Sequence, residues 1–280
     1  MAWRDELPGW GAALVGMSRE KFMKPTVILV GADKGGVGKT TLARTLLDYL
    51  SRKNVMARCY DTEWPRGTLK RFYPATTEVI DMSNVAHQMK LLDTLETASL
   101  KVSVVDLKAG NLSMVLDIFD RIGVLEAAKS GKFTLGLFHV VGPAIASLEE
   151  IGEIAKYIQG TDYVIAKNFI NETNFLEWDE KTHKKYFSNA GAAEIVLPKL
   201  NEMAYEQVDL AGVTFRDFID NKAANGEPGN FSFVLRGYVR KWMSEIDAQL
   251  EKLKPVQELV RGERGRAPPQ QQQAAAAAKA

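Results

Sequence analysis

The segment 31–41, with the sequence GADKGGVGKTT, has the residue types of a loop that binds phosphate. It follows the apolar run 26–30 and precedes a helix-like stretch that begins near Lys39. Glycines without a Cβ let backbone N–H groups converge on oxyanions, and the start of a helix adds the positive end of its dipole. The residues that we expect to form this binding loop are Gly35, Gly36, Val37, Gly38, Lys39, Thr40 and Thr41.

Lys39 and Thr40 give the loop its expected chemistry. Lys39 would reach the terminal phosphates of a nucleotide, and the Thr40 hydroxyl would bind a magnesium ion. The strict motif G-x-x-x-x-G-K-[ST] requires glycine at position 33, where this chain has Asp33. The chain has instead a second lysine, Lys34, five residues before Lys39.

Acidic residues follow two further apolar runs that we predict to be strands. Asp61 and Glu63 follow the run 55–60, and side-chain alternation would place both carboxylates on one side. Asp106 ends the run 100–106, which has the form of a Walker B motif whose carboxylate binds magnesium. Ligands of open parallel sheets bind beyond the carboxyl ends of the strands, so we expect these acids to lie near the glycine-rich loop.

The segment 34–40, KGGVGKT, resembles the deviant Walker A motif of the ParA/MinD family of P-loop ATPases. The resemblance implies ATP and Mg2+ as cofactors, and an ATP-dependent homodimer whose protomers sandwich the nucleotides. It implies that Lys34 reaches the partner's nucleotide, while Lys39 neutralises phosphates within its own subunit. It also assigns Asp61 to the metal shell and Glu63 to the positioning of the attacking water.

Two positions depart from the family pattern. Glu63 stands where the family has aspartate, and hydrolysis is sensitive to a misplacement of about 1 Å. Gly110 fits the glycine that senses the γ-phosphate, but Lys108 replaces a proline that the family often has two residues earlier. Lys108 either contacts phosphate or faces solvent, and we favour the second alternative at this point.

Two later residues resemble those that border the nucleotide base in related ATPases. Asn168 ends one apolar run, and Pro198 follows another. The guanine-selective pattern N/T-K-x-D is absent, because Lys167 is followed by Asn168 and Phe169. The sequence therefore favours ATP over GTP.

Short β-rich runs alternate with longer helical stretches, which predicts βαβ units on a parallel sheet. The predicted fold is that of an α/β P-loop NTPase, with a predominantly parallel sheet and helices on both faces. The predicted strands are 26–30, 55–60, 100–106, 133–141, 162–169 and 193–197, with 77–81 a weaker seventh. The predicted helices are 39–52, 84–98, 111–129, 145–159, 177–187 and 229–253.

With 280 residues, of which 46% are hydrophobic and 25% charged, the chain can bury the core of one α/β domain. We expect a P-loop ATPase domain over 25–255 and a disordered low-complexity tail over 256–280. Residues 1–24 are expected to be an N-terminal extension, or in part the product of a misassigned start. The chain has one cysteine and lacks an apolar run of about eighteen residues, so we expect a cytoplasmic protein without a transmembrane segment.

The last predicted helix is amphipathic and carries basic residues off its apolar stripe. The stripe, which we expect to pack against the sheet, consists of Phe231, Leu235, Tyr238, Val239, Trp242, Ile246, Leu250 and Leu253. Arg236, Arg240 and Lys241 lie off the stripe, where they either form a solvated face or contact DNA without sequence preference. The net charge of +1 provides no global attraction to nucleic acid.

Two functions fit these features. The resemblance implies a slow, partner-stimulated ATPase that acts as a dimeric switch and positions or partitions a cargo, such as a plasmid, a chromosome region or a protein assembly. The alternative is a biosynthetic enzyme that activates a small carboxylate with ATP, similar to dethiobiotin synthetase. The pair of Lys34 and Lys39 favours the switch, whereas nothing in the sequence identifies the cargo or the activating protein.

Overall fold

Residues 24–169, 180–186 and 191–264, which the computed structural model describes, contain a seven-stranded sheet. The strands are β1 (Thr26–Gly31), β2 (Ala57–Asp61), β3 (Thr77–Val79), β4 (Val102–Asp106), β5 (Thr134–Val141), β6 (Asp162–Asn168) and β7 (Ala193–Leu197). Their order is β3-β2-β4-β1-β5-β6-β7, and every neighbouring pair is parallel. The α/β prediction is therefore confirmed, including the weaker seventh strand. The predicted N-terminal extension and most of the predicted tail lie outside the described residues.

β1 lies in the middle of the sheet and leads into the glycine-rich loop. All six of its residues are buried, as expected for a parallel strand that is covered on both faces. Ile28 and Val30 pack into one core cluster, whereas Val27 and Leu29 pack into another on the opposite face. The alternation of side chains along the strand thus divides the core into two layers.

Helices cover both faces of the sheet. They are α1 (Lys39–Arg52), α2 (Val85–Leu92), α3 (Leu112–Arg121), α4 (Val124–Lys129), α5 (Ile145–Glu153), α6 (Glu180–Tyr186), α7 (Glu202–Ala211), α8 (Phe215–Ile219), α9 (Phe233–Leu250) and α10 (Lys254–Arg264). We call the two faces of the sheet the Ile28 face and the Val27 face, after the β1 residue that points to each. The Ile28 face is covered by α1, α7, α8, α9 and α10, and the Val27 face is covered by α2 to α5. None of the described helices is long and apolar enough to cross a membrane.

The sequence does not predict α7 and α8, and it predicts one helix where α3 and α4 form two. α7 buries only Ala204 and Val208, so its sequence lacks a wide apolar stripe. α8 has five residues, too few for helical periodicity to show. Gly123 separates α3 from α4, because its φ of +78° is a left-handed conformation that a continuous helix excludes.

α9 confirms most of the predicted amphipathic helix. The residues of the predicted stripe that α9 buries are Val239, Trp242, Ile246 and Leu250. Tyr238 is 51% exposed, which corrects its placement on the stripe, since adjacent helical positions point about 100° apart. On the inner face, Val196 N donates to Gln249 Oε1 over 2.7 Å, and Gln249 Nε2 donates to Val196 O over 2.8 Å. α9 is thus bonded directly to the backbone of β7.

α10 corrects the predicted end of the domain at residue 255. The sequence assigns the residues from 256 onward to a disordered tail, but α10 extends to Arg264. Val256 and Val260, which lie four residues apart on one side of this helix, pack into the core on the Ile28 face. The residues of α10 therefore belong to the packed domain.

A buried cluster of charged and aromatic side chains fixes α1 against the rest of the domain. The Arg44 guanidinium lies between two rings, with its Cζ 3.4 Å from the Phe72 centroid and 4.1 Å from the Phe215 centroid. Asp48, one turn further along α1, accepts hydrogen bonds from the Tyr73 hydroxyl over 2.6 Å and from a backbone amide of α8 over 3.1 Å. Because α1 begins at the glycine-rich loop, these contacts also fix the helical end of that loop.

Asp48 makes the stability of the domain depend on pH. Burial raises the pKa of Asp48 from 3.8 to about 6, so the folded state keeps this proton to a higher pH than the unfolded chain does. The stability due to the protonated carboxyl is complete below about pH 4 and is lost as the pH rises to about 6. Asp48→Asn keeps an acceptor oxygen and does not ionise. The free energy of unfolding of this variant minus that of wild type should therefore increase by roughly 1–3 kcal/mol as the pH rises from about 4 to about 7.

Urea denaturation of wild type and of Asp48→Asn, at about pH 4 and at about pH 7, measures this increase. Asp93→Asn, which changes an exposed aspartate at the end of α2, is the control. A difference between Asp48→Asn and wild type that stays constant with pH would contradict the expectation.

Candidate phosphate-binding site

The loop 32–38 joins β1 to α1 at the carboxyl edge of the sheet. Gly36 and Gly38 have φ angles of +72° and +95°, which residues with a Cβ rarely adopt. A Cβ at Gly38 would also lie 2.1 Å from Nδ2 of Asn168. Gly38 caps α1, and no side chain of the described residues bonds to the first turn as a cap. The N–H groups there can therefore bind an anion.

Lys39 and Thr40 direct their side chains to this loop and to the neighbouring strand end. Lys39 Nζ donates to the Lys34 carbonyl over 2.9 Å, and Thr40 Oγ1 donates to Asp106 Oδ2 over 2.6 Å. Burial lowers the pKa of Lys39, and the carboxylates of Asp106 and Glu150 act against that shift. The ammonium is held by a neutral carbonyl, so phosphate would be a stronger acceptor for it.

Asp106, at the end of β4, is opposite Val30 of β1 and Asp61 of β2 in the strand register. Its side chain is buried, and Oδ1 has no hydrogen-bond partner among the described residues. Burial, together with the nearby Asp61 carboxylate, raises the pKa of Asp106 to about 8. The unpartnered oxygen beside the Thr40 hydroxyl fits a divalent cation, because Mg2+ prefers oxygen ligands.

Asp61 and Glu63 line the same cleft, which has a volume of about 340 Å³. Asp61 Oδ1 accepts from the Glu63 amide over 2.9 Å, and Oδ2 accepts from the Leu69 amide over 2.6 Å. Glu63 accepts a hydrogen bond from the Thr68 hydroxyl. The structure thus brings both acids to the cleft, where the Asp61 oxygens hold the loop after β2. The metal and water roles assigned to these acids stay predictions.

A second cavity, of about 260 Å³, adjoins the cleft on the side of the predicted base-binding residues. Asn168 and Pro198 both line it, and Asn168 Nδ2 donates to the Val37 carbonyl of the loop over 2.8 Å. Tyr205 lines both cavities, with its hydroxyl 3.3 Å from Thr41 Oγ1. The cleft and the second cavity therefore meet at the first turn of α1, while contact of Asn168 or Pro198 with adenine stays a prediction.

Asp33, which stands where the strict motif has glycine, links the loop to the segment after β4. Its carbonyl accepts from the Gly110 amide over 2.9 Å. Its carboxylate accepts from the Ser113 amide, in the first turn of α3, over 3.2 Å and also from the Ser113 hydroxyl. Gly110, the residue predicted to sense the γ-phosphate, is thus bonded directly to the loop.

Glu150 of α5 is a site residue that the sequence does not reveal. Its Oε2 accepts from the Asp33 amide over 2.8 Å, and its Oε1 accepts from the Lys34 amide over 2.7 Å. His139 Nε2 lies 3.4 Å from Glu150 Oε2, and the Tyr163 hydroxyl lies 2.9 Å from His139 Nδ1. Burial acts to raise the pKa of Glu150, but the hydrogen bonds from His139 and the two amides lower it overall. The Glu150 side chain is therefore charged, and this carboxylate holds the loop through the two amides.

The basic residues of α9 do not line the described cleft. Arg240 and Lys241 are exposed, and Lys241 Nζ lies 3.2 Å from Glu245. The Cζ of Arg236 lies 6.0 Å from the centroid of the Phe233 ring. A contact of these three basic residues with DNA stays a prediction.

Solved structures of MinD and of a nucleotide-binding protein are similar to this chain. The septum site-determining protein MinD from Pyrococcus horikoshii, complexed with Mg-ADP, is similar over 82% of this chain and 97% of that chain, with a TM-score of 0.50 and 13% identity. A MinC:MinD complex from Aquifex aeolicus is similar over 79% and 96%, with a TM-score of 0.46 and 17% identity. A nucleotide-binding protein from Archaeoglobus fulgidus, in complex with ADP, is similar over 66% and 86%, with a TM-score of 0.44 and 15% identity.

No protein-family model matches the chain, and no curated protein matches it by sequence. At 13% identity, the likeness to MinD of Pyrococcus horikoshii is a likeness of fold. At that level it confirms the predicted resemblance in fold to the ParA/MinD family.

We expect Glu150→Gln to destabilise the loop, because an amide nitrogen would replace one of two acceptor oxygens and face a backbone N–H. The free energy of unfolding, measured by urea denaturation, should fall by about 1–3 kcal/mol. The matched control is Glu149→Gln, which removes the same charge at the adjacent, exposed position of α5. Equal stability of the two variants would show that the amide bonds to Glu150 do not hold the loop.

Proposed function

We propose that this protein binds and hydrolyses ATP, as a slow switch that positions or partitions a cargo. The observation that carries this proposal is one cleft that combines the open amides of α1, the Lys39 ammonium and the pair of Thr40 and Asp106. These groups provide donors for phosphate oxygens, a cation, and oxygen ligands for Mg2+. MinD of Pyrococcus horikoshii, which has the same fold, is complexed with Mg-ADP and supports the proposal.

In this proposal the phosphates lie on the amides of residues 35–41, and the base lies in the adjoining cavity that Asn168 and Pro198 line. Lys39 leaves the Lys34 carbonyl for a phosphate oxygen. A charge-assisted hydrogen bond between ammonium and phosphate is stronger than one between ammonium and a neutral carbonyl. Phosphate binding would therefore also release the carbonyl of residue 34.

Thr40 and Asp106 would hold Mg2+, with Asp61 in the metal shell. The ion, when bound, supplies charge neutralisation to the phosphates. Glu63 would position the attacking water, and the Gly110 amide would leave its present carbonyl partner to meet the γ-phosphate. Phosphoryl transfer requires positioning and charge stabilisation more than a covalent nucleophile, which agrees with a cleft of lysines and carboxylates.

The switch would be an ATP-dependent homodimer in which Lys34 contacts the nucleotide of the partner protomer. The Lys34 residue is exposed, while its N–H is bonded to Glu150 and its carbonyl to Lys39. This arrangement fixes the backbone of residue 34 and leaves the ammonium at the protein surface. Such a dimer, in the cytoplasm, would be the form that a cargo or an activating protein recognises.

We expect Lys39→Ala to abolish nucleotide binding, because the variant loses the cation that faces the phosphates. Titration with ADP and with ATP, in the presence of Mg2+, measures the affinity. The control is Lys132→Ala, which removes an exposed lysine just before β5, at the opposite edge of the sheet. Unaltered affinity of the Lys39→Ala variant would refute the site.

Light scattering tests the dimeric switch. We expect a monomer with ADP and a dimer with ATP in the Glu63→Ala variant, in which slower turnover preserves the nucleotide. Adding Lys34→Ala to this variant should keep nucleotide binding but remove the dimer, because no lysine would then reach the partner's phosphates, whereas adding Lys132→Ala should change neither. A mass that is the same with ADP and ATP would contradict the switch and favour the alternative enzyme that activates a small carboxylate.

A further inference from the structure

Lys108 is a second lysine of the phosphate cleft, and the roles proposed above do not use it. The cleft is lined by Lys39 and Lys108 and by the carboxylates of Asp61, Glu63 and Asp106. Lys39 is buried and bonded to a backbone carbonyl, whereas Lys108 is exposed. Among the described residues Lys108 forms no ion pair. Hydrogen bonds from Ser83 lower the pKa of the Asp81 carboxyl and the charge of Lys108 adds to this shift, but no described carboxylate is bonded to Lys108.

The backbone around Lys108 is fixed beside the glycine-rich loop. The Lys108 amide donates to the Thr62 hydroxyl over 2.8 Å, and the Gly110 amide donates to a carbonyl of the loop over 2.9 Å. Ala109 lies between these two bonded amides, and a Cβ built on Gly35 would lie 3.7 Å from the Ala109 Cβ. The segment that carries Lys108 therefore packs against the loop whose amides we propose to bind phosphate.

The two adjoining cavities show which end of the cleft Lys108 occupies. Four residues line both the cleft and the second cavity, and they mark the end of the cleft that is near the base: Gly36, Gly38, Thr41 and Tyr205. Lys108, like Asp106, lines the cleft but not the second cavity. A nucleotide that spans both cavities would place its last phosphate at the end where Lys108 lies.

We propose that Lys108 binds the γ-phosphate of ATP from within the same subunit and makes the site prefer triphosphate to diphosphate. This inference rests on the proposed nucleotide site and reverses the solvent-facing alternative that the sequence favours. An ammonium offers three donors on a flexible stem, so the Lys108 side chain can reach the oxygens of the γ-phosphate. The proline that the ParA/MinD family often has at this position offers neither a charge nor a donor, so the preference would be a property of this chain.

Calorimetric titration with ADP and with the β,γ-imido analogue of ATP, both with Mg2+, tests this role. Lys108→Met keeps most of the side-chain length and removes the charge. We expect it to weaken binding of the analogue about tenfold and binding of ADP less than about twofold. Lys108→Arg should restore most of the preference for the analogue, and the matched control Lys132→Met should leave both affinities at their wild-type values.

Two results would overturn this inference and leave the proposed ATP site standing. One is wild-type affinity of Lys108→Met for both nucleotides. The other is an equal loss for both, which would show a general electrostatic effect instead of a contact with the γ-phosphate. Failure of the wild-type protein to bind either nucleotide would overturn the proposed function and this inference together. Because Lys108 is exposed, Lys108→Met should unfold at the wild-type temperature, so its titration reports on the folded protein.

Discussion

The loop between β1 and α1 is shaped by one constraint, namely that a buried backbone N–H or C=O must find a hydrogen-bond partner. The loop contains no helix or strand, so most of its partners come from distant parts of the chain. Glu150 accepts from the amides of residues 33 and 34, and Asn168 donates to the carbonyl of residue 37. Lys39 and Gly110 donate to the carbonyls of residues 34 and 33. These partners meet because the parallel strands β1, β4, β5 and β6 all end at the same edge of the sheet.

The partners of the loop are of two kinds. Glu150 projects from a packed helix and Asn168 from β6, an interior strand of the sheet. Nothing in the proposed function requires them to move. Lys39 and Gly110, in contrast, are donors that phosphate oxygens would attract more strongly than carbonyls do. In the proposed function the first pair keeps the shape of the loop, while the second pair changes partners when nucleotide binds.

Local patterns in the sequence are sufficient to predict the strands, the glycine-rich loop and the strand-end acids Asp61 and Asp106. The role of Glu150 is different, because it depends on a contact between residues 116 positions apart in the chain. Its neighbour Glu149 has the same side chain, and only the packing of α5 distinguishes the two. The sequence does not reveal that the domain extends to Arg264, because Val256 and Val260 form only a short apolar repeat directly before a low-complexity tail.

The pairing of Gln249 with β7 has a consequence for how molecules of this protein can meet. β7 is the last strand of the sheet, and the exposed backbone of such a strand is a template for strand addition and aggregation. The Gln249 amide satisfies both the N–H and the C=O of Val196, near the middle of that template. An incoming strand would have to displace this side chain before it could pair there. The sheet is therefore protected from intermolecular extension on this side.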